Sequence, residues 1–168
     1  MRYLLLVVAL LLLPLGGHAQ ENGFRDRLLT LMSMDCGIGE AAGRFRLEAI
    51  GDPVQARTVF LEVLQSGPTP VFAAQAASHA GARYDRYMAW AKRNADKAHA
   101  KRFLDGPGRD AFIASARDDI ELQYRTNALR GLELTGIRAD RAAIDAAIRR
   151  QPGLEQIGQT ALKAISKR

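Results

Sequence analysis

Of the three histidines in the chain, the two that lie beyond residue 19 are the first side chains that could carry out chemistry. His79 and His99 lie 20 residues apart, and neither is surrounded by the glutamate and histidine spacing of a zinc motif. Ser78 precedes His79, but adjacent residues on a helix point about 100° apart and so do not form a nucleophile and its base. No Gly-x-Ser-x-Gly motif is present. We therefore predict no catalytic residue, no bound metal and no cofactor.

Three neighbouring carboxylates are the other group with possible chemistry. Asp118, Asp119 and Glu121 lie just before or at the start of a predicted helix. Acidic residues at a helix N-terminus stabilise its unpaired amides, which accounts for them without catalysis. Two carboxylates in a cleft could instead cleave a glycosidic polymer. An exported hydrolase acting on a cell-wall or other polymer is therefore the alternative function, although the sequence favours a protein that is not an enzyme.

The chain contains a single cysteine, Cys36. One cysteine excludes an intramolecular disulfide framework and any multi-cysteine metal site. Residues 35–39 read as a turn between two predicted helices. A free cysteine is usually buried, and a disulfide-linked dimer through Cys36 is the alternative.

The N-terminus has the pattern of a secretion signal. Arg2 precedes an apolar run at residues 4–15, and the small residues Gly17 and Ala19 form a cleavage site. The apolar run of 12 residues is shorter than the roughly 20 that a membrane-spanning helix needs. We predict a signal peptide at residues 1–19, a periplasmic or secreted location, and no membrane span in the mature form.

The positive charge is concentrated in one segment. The chain has 24 basic and 18 acidic residues, and removal of the leader leaves a net charge of +5. Residues 83–102 contain seven basic and two acidic residues, so this segment accounts for the whole excess. A continuous helix is predicted at 83–104, with the stripe of Tyr84, Tyr87, Met88, Ala91, Ala95 and Ala98 as its apolar face.

The opposite side of this predicted helix is the candidate binding site. We define the basic surface by the residues Arg83, Arg86, Trp90, Lys92, Arg93, Lys97 and Lys101. Such a surface could bind a protein or an anionic envelope component, such as lipid head groups or a cell-wall polymer. A simple solvated face is the alternative interpretation. Nucleic acid is not expected as a partner, because the charge is modest and the leader exports the chain.

Composition and helix signals predict an all-α fold. Residues 20–168 contain 26 alanines but only 19 β-branched residues, and 48% of the chain is hydrophobic. Asp52 and Thr69, each followed by proline, predict helix starts, and Asp140 is predicted to cap the helix that follows it. The predicted helices are 24–34, 40–50, 53–65, 70–80, 83–104, 109–119, 121–134, 141–150 and 154–166. We expect one domain at 20–168, built either as a short array of helical hairpins or as an irregular helical bundle.

The last third of the chain shows a weak self-similarity, which is either a helical repeat or a chance echo. Residues 128–132 (Ala-Leu-Arg-Gly-Leu) align with residues 161–165 (Ala-Leu-Lys-Ala-Ile) at an offset of 33 residues. With Arg125 before the first copy, residues 122–166 resemble the HEAT-like family of two-helix solenoid repeats. Gly158 stands where the second copy would carry the arginine. The resemblance implies stacked helix pairs, clearest over 120–168, and a function in binding. Together with the leader, it leads us to predict an exported, non-enzymatic binding protein of the cell envelope.

Overall fold

The computed structural model describes residues 16–34, 37 and 39–168, with side chains from residue 23 onward. This part of the chain is helical and contains no strand, which confirms the predicted all-α class. Its helices are α1 (Gly16–Met32), α2 (Gly39–Gly51), α3 (Pro53–Ser66), α4 (Pro70–Arg93), α5 (Ala98–Leu104), α6 (Arg109–Thr135), α7 (Arg141–Arg150) and α8 (Glu155–Ile165). Short 3-10 turns, Arg138–Asp140 and Pro152–Leu154, lead into α7 and α8.

Two predicted helix starts are confirmed by their caps. The Asp52 side chain accepts a hydrogen bond of 3.0 Å from the backbone N–H of Gln55. The Thr69 hydroxyl accepts one of 3.5 Å from the N–H of Phe72, and a proline is the first residue of each helix. Gly67, between the two helices, has a φ of 76°, a conformation that favours glycine. Local sequence therefore determines where α3 and α4 begin.

α6 is the central helix of the fold. It contacts α1, α2, α3, α4 and α8, and the main apolar core surrounds its C-terminal half. Leu129 and Leu132 of α6 are fully buried there, and the rings of Phe45 and Phe60 meet at 5.5 Å. A solenoid unit contacts only its neighbours, whereas a central helix enclosed by others is typical of a bundle. The described residues thus form an irregular helical bundle.

The end of α1 is held by side chains of α6. Buried Asn127 donates hydrogen bonds of 2.8 Å and 2.9 Å to the carbonyl oxygens of Met32 and Met34. Gln123 donates one of 2.6 Å to the carbonyl oxygen of Ser33. The last carbonyls of a helix have no partner within it. These amide side chains provide partners from a distant part of the chain.

A smaller core lies apart from the main one. Tyr84 is buried against Phe103 and Phe112, with ring centroids 5.4 Å and 5.5 Å away. Ala91 and Ala100 are also buried, and none of these side chains belongs to the main cluster. We call residues 80–116 the arm. The arm is stabilised by its own satellite core, and it carries the basic surface.

The prediction of one continuous helix at 83–104 is wrong. α4 ends at Arg93, and α5 starts only at Ala98. The side-chain amide of Asn94 donates to the carbonyl oxygen of Trp90 at 2.9 Å, and the carbonyl oxygen of Asn94 accepts from the N–H of Lys97 at 2.9 Å. Asparagine competes for backbone groups in this way and so favours helix ends over helix interiors.

Two other predicted boundaries are absent. The helix predicted at 70–80 continues past Gly81 to Arg93, and the helices predicted at 109–119 and 121–134 form the single helix α6. An isolated glycine lowers helix propensity by only about 1 kcal/mol, and α4 packs along α6 over this region. Tertiary packing therefore overrides these weak local signals.

Asp140 has a different role from the predicted one. Its side chain does not cap α7. It accepts a hydrogen bond of 2.8 Å from the backbone N–H of Ile137 and is paired with Arg57 of α3. The carboxylate thus closes the preceding 3-10 turn and links it to another helix.

The two segments that align at the 33-residue offset, 128–132 and 161–165, lie in α6 and α8, which pack against each other. Their matching apolar residues are all buried: Ala128, Leu129, Leu132, Ala161, Leu162 and Ile165. Arg125 is buried on α6, and Gly158 is buried on α8. A Cβ atom at Gly158 would lie 2.5 Å from Cδ1 of Ile148, so the glycine permits the close approach of α7. Close helix packing accounts for the glycine that departs from the repeat pattern.

Two of the sequence predictions concern residues that the structure does not describe. Residues 1–15 of the predicted leader and Cys36 lie outside the described part of the chain, so signal cleavage and a disulfide-linked dimer remain predictions. Ala19 lies within α1. Within the described helices, none has the length and apolar character required to cross a membrane.

Candidate functional site

The residues of the basic surface lie on two helices and the turn between them. Arg83, Arg86, Lys92 and Arg93 are exposed on α4, Lys97 is exposed at the start of α5, and Lys101 is exposed on α5; Trp90 is half-buried. The predicted single helix is thus replaced by an elbow at residues 94–97. Lys97 stabilises this elbow, since its Nζ donates to Oδ1 of Asn94 at 2.8 Å.

Helical spacing divides the α4 residues into two flanks. At 3.6 residues per turn, Arg86, Trp90 and Arg93 follow one another along a single flank. Lys92 lies on the other flank of α4, on the same side of the helix as Asp85. Arg86 and Arg93 form no ion pair within the described residues. One flank of α4 therefore presents unneutralised guanidinium groups on both sides of a tryptophan.

Trp90 links the two helices of the elbow. Its ring stacks on the imidazole of His99 from α5, with centroids 4.9 Å apart and planes inclined by 23°. Tyr87, which the sequence assigned to the apolar face, is 50% exposed, and its ring meets that of Phe103 in a T-shaped arrangement with centroids 5.8 Å apart. The end of the arm thus exposes aromatic surface beside its cations. The exposure of Ala95 and Ala98 follows from the break in the helix.

Arg83 and Arg86 also border a groove between α4 and α6. The groove has a volume of about 450 Å³, and its other lining residues are Ala76, His79, Ala80, Ala116, Asp119 and Ile120. The Arg83 guanidinium lies 5.2 Å from the centre of the Phe112 ring, which supports it from below. His79 joins this site at a spacing of four and seven residues from the two arginines. That spacing was visible in the sequence, but the packing of α6 against it was not.

One acidic residue of the segment is neutralised by a residue outside it. Asp85 accepts hydrogen bonds from Arg109 at 3.0 Å and 3.3 Å. Both groups are exposed, so the pair contributes little to stability. It does remove Asp85 as a partner for the neighbouring cations of α4.

The carboxylates proposed for hydrolysis do not lie at a helix start. Asp118, Asp119 and Glu121 are in the interior of α6, so the explanation through helix-terminal amides is wrong for them. Asp118 and Asp119 are exposed, and Glu121 pairs with Arg125 at 2.8 Å. Within the described residues, no group of three or more His, Cys, Asp or Glu side chains is arranged to hold a metal ion.

A second concave surface lies between α1 and α2. It encloses about 580 Å³ and is lined by apolar Leu31, Met34 and Leu47 together with charged residues at its edge. Leu47 is 68% exposed. This groove was not predicted from the sequence, because an apolar residue on α2 predicts burial when it is read without its neighbours.

Known proteins offer no parallel for this site. No family model matches the chain, and neither the curated proteins nor the solved structures contain a significant match. The resemblance to HEAT-like repeats remains a prediction.

Proposed function

We propose that the protein is an exported, non-enzymatic binding protein of the cell envelope. In this proposal the basic surface of the arm binds a protein or an anionic envelope component, and nucleic acid is not a partner. The observation that carries the proposal is the exposed flank of α4, where Arg86 and Arg93 stand beside Trp90 without acidic partners among the described residues.

Charge balance elsewhere supports this choice of surface. Outside residues 83–102, the chain without its leader has equal numbers of basic and acidic residues. A uniformly basic protein would attract polyanions over its whole surface, whereas a local excess directs them to one place. The arm has its own core, whose side chains do not belong to the main cluster, and this core supports the helices that carry the local excess.

A capture experiment with matched variants tests the proposal. The full chain is expressed in a bacterium, and the protein is recovered from the envelope fraction, with its N-terminus determined by mass spectrometry. The same N-terminus in all variants allows direct comparison, and a start at Gln20 would agree with the predicted cleavage. The immobilised protein is then incubated with a detergent-free envelope extract. We expect it to retain specific components.

The test variant reverses three charges of the basic surface: Arg86→Glu, Arg93→Glu and Lys101→Glu. Its matched control reverses Arg46, Arg138 and Arg149, which are also exposed and form no ion pair with described residues. Both variants have the same net charge. We expect the test variant to lose capture and the control to keep it. Equal capture by both would remove the basic surface from the function.

A further inference from the structure

The end of the arm combines cations and aromatic rings in an unusual proportion for this chain. Between Arg86 and Arg102 there are six basic residues and one acidic residue, Asp96. The same stretch holds Tyr87 and Trp90, and Trp90 is the only tryptophan of the protein. The described cations of this stretch are all exposed. Exposed positive charge and aromatic rings therefore occur together at the end of the arm.

The cations spread over this surface and do not converge on one pocket. Arg86 and Arg93 lie along one flank of α4, and Lys101 and Arg102 lie on the outward side of α5. The two helices are joined by the Trp90–His99 stack. A ligand that meets all of these groups must offer many negative charges over an extended surface. A single small anion would reach only two or three of them.

The aromatic side chains fit a boundary between water and an apolar phase. Trp90 is half-buried, with one face of its ring on His99, and Tyr87 keeps half of its surface exposed. Tryptophan and tyrosine are favoured at membrane interfaces, because their rings are apolar and their polar groups stay hydrated. Basic residues next to them attract the negatively charged head groups of such an interface.

We propose that the arm binds the surface of an anionic phospholipid membrane. The basic surface contacts the head groups, and the exposed edges of Trp90 and Tyr87 enter the interfacial layer. This inference rests on the proposed function and specifies its partner. Binding is peripheral and electrostatic, since each cation near an anionic surface strengthens binding about five-fold and salt screens the attraction.

Trp90 provides a direct optical probe of this contact. The recovered protein is mixed with vesicles of phosphatidylglycerol and phosphatidylcholine in equal parts, or with vesicles of phosphatidylcholine alone. We expect co-sedimentation with the anionic vesicles only, together with a shift of tryptophan emission to shorter wavelengths. Raising NaCl to about 1 M should release the protein, because the screening length then falls to roughly 3 Å.

Substitutions that remove charge test which residues are responsible. Arg86→Gln, Arg93→Gln and Lys101→Gln together should weaken binding to anionic vesicles roughly 100-fold. The same change at Arg46, Arg138 and Arg149 should weaken it by no more than about three-fold, since none of these residues belongs to the arm. Trp90→Ala should weaken co-sedimentation without changing its salt dependence. Circular dichroism and thermal unfolding verify that each variant is folded.

Three results would overturn the inference. They are no binding to anionic vesicles, equal binding to both kinds of vesicle, and equal loss in the test and control variants. If vesicles are not bound but capture of envelope proteins still depends on the basic surface, the proposed function stands and the partner is an acidic protein. If neither vesicles nor envelope components are bound, both proposals fail.

Discussion

The guanidinium group of Arg57 on α3 binds the buried carboxylate of Asp140, which is 83 residues away in the sequence. Nε of Arg57 donates to Oδ2 at 2.8 Å and to Oδ1 at 3.1 Å, and Nη2 donates to Oδ1 as well. The Asp140 side chain is 2% exposed and that of Arg57 is 29% exposed. The pair therefore joins α3 to the turn before α7 at the edge of the main core.

Removal of this carboxylate should destabilise the protein. Asp140→Asn leaves Arg57 without its counter-ion, and we expect the free energy of unfolding to fall by about 2 kcal/mol, less than for a fully buried pair because Arg57 is partly exposed. Urea denaturation measures the change. Asp145→Asn is the matched control, since its pair with Arg141 is 3.6 Å long and much more exposed than the pair of Asp140; it should cost less than about 0.5 kcal/mol. Similar losses in both variants would contradict this role for Asp140.

The same pair predicts a loss of stability in acid. Burial raises the pKa of Asp140, but the hydrogen bonds from Arg57 and Ile137 and the charge of Arg57 outweigh it, so this pKa lies below its ordinary value. A lowered folded-state pKa gives stability that is present above the unfolded value of about 3.9 and is lost as the pH falls through the folded value. The difference in unfolding free energy between wild type and Asp140→Asn should shrink below about pH 4. A difference that stays constant down to pH 2 would contradict the assignment.

A close contact in the main core makes Gly131 difficult to replace. A Cβ atom there would lie 2.3 Å from the Phe60 ring. We expect Gly131→Ala to lower the free energy of unfolding by about 1–3 kcal/mol through overpacking. In Gly43→Ala, on the exposed side of α2, the new Cβ atom meets nothing within 4 Å, so stability should rise by up to about 1 kcal/mol. Urea unfolding of both variants gives the comparison, and a stable Gly131→Ala protein would show that the ring can move away.

The hydrogen bonds of Asn127 should control the end of α1. Asn127→Ala removes a buried bond to the carbonyl oxygen of Met32 and a partly buried one to that of Met34, and we expect a loss of about 1–3 kcal/mol. Hydrogen exchange should become faster in the last turn of α1. Gln123→Ala removes an exposed bond to Ser33 and should cost about 0.5 kcal/mol. Unchanged hydrogen exchange in α1 of the Asn127→Ala variant would show that these hydrogen bonds do not hold the end of α1.

The satellite core should allow the arm to open separately. Tyr84→Ala removes the buried ring between Phe103 and Phe112, with a local cost of about 3 kcal/mol. We expect faster hydrogen exchange at the end of α4 and in α5, with α8 unaffected. Tyr87→Ala, on the same helix but half-exposed, is the control and should have a much smaller effect. Equal loss of protection in α8 would show that the arm and the bundle unfold as one unit.

Local signals in the sequence were sufficient for the starts of α3 and α4, but not for the end of α4 or for the continuity of α6. The caps at Asp52 and Thr69 act within three residues, so they were readable. The break at Asn94 was not predicted, because alanines on both sides favour a helix and only the hydrogen bonds of Asn94 reveal the turn. The basic surface was identified by residue type. Its division into two flanks of α4 and a separate α5 depended on that break.

The sequence by itself determined the all-α class, the helix starts at Asp52 and Thr69, and the concentration of positive charge in residues 83–102, because each depends on residue types or on contacts between near neighbours. Only the tertiary structure decided that α6 is central, that Asn127 holds the end of α1, and that Arg57 meets Asp140. The contacts of Arg57 and Asn127 join residues that are between 83 and 95 positions apart in the sequence. Helices of similar composition can pack in many arrangements, and the choice among them depends on the complementarity of whole surfaces, which no local pattern records.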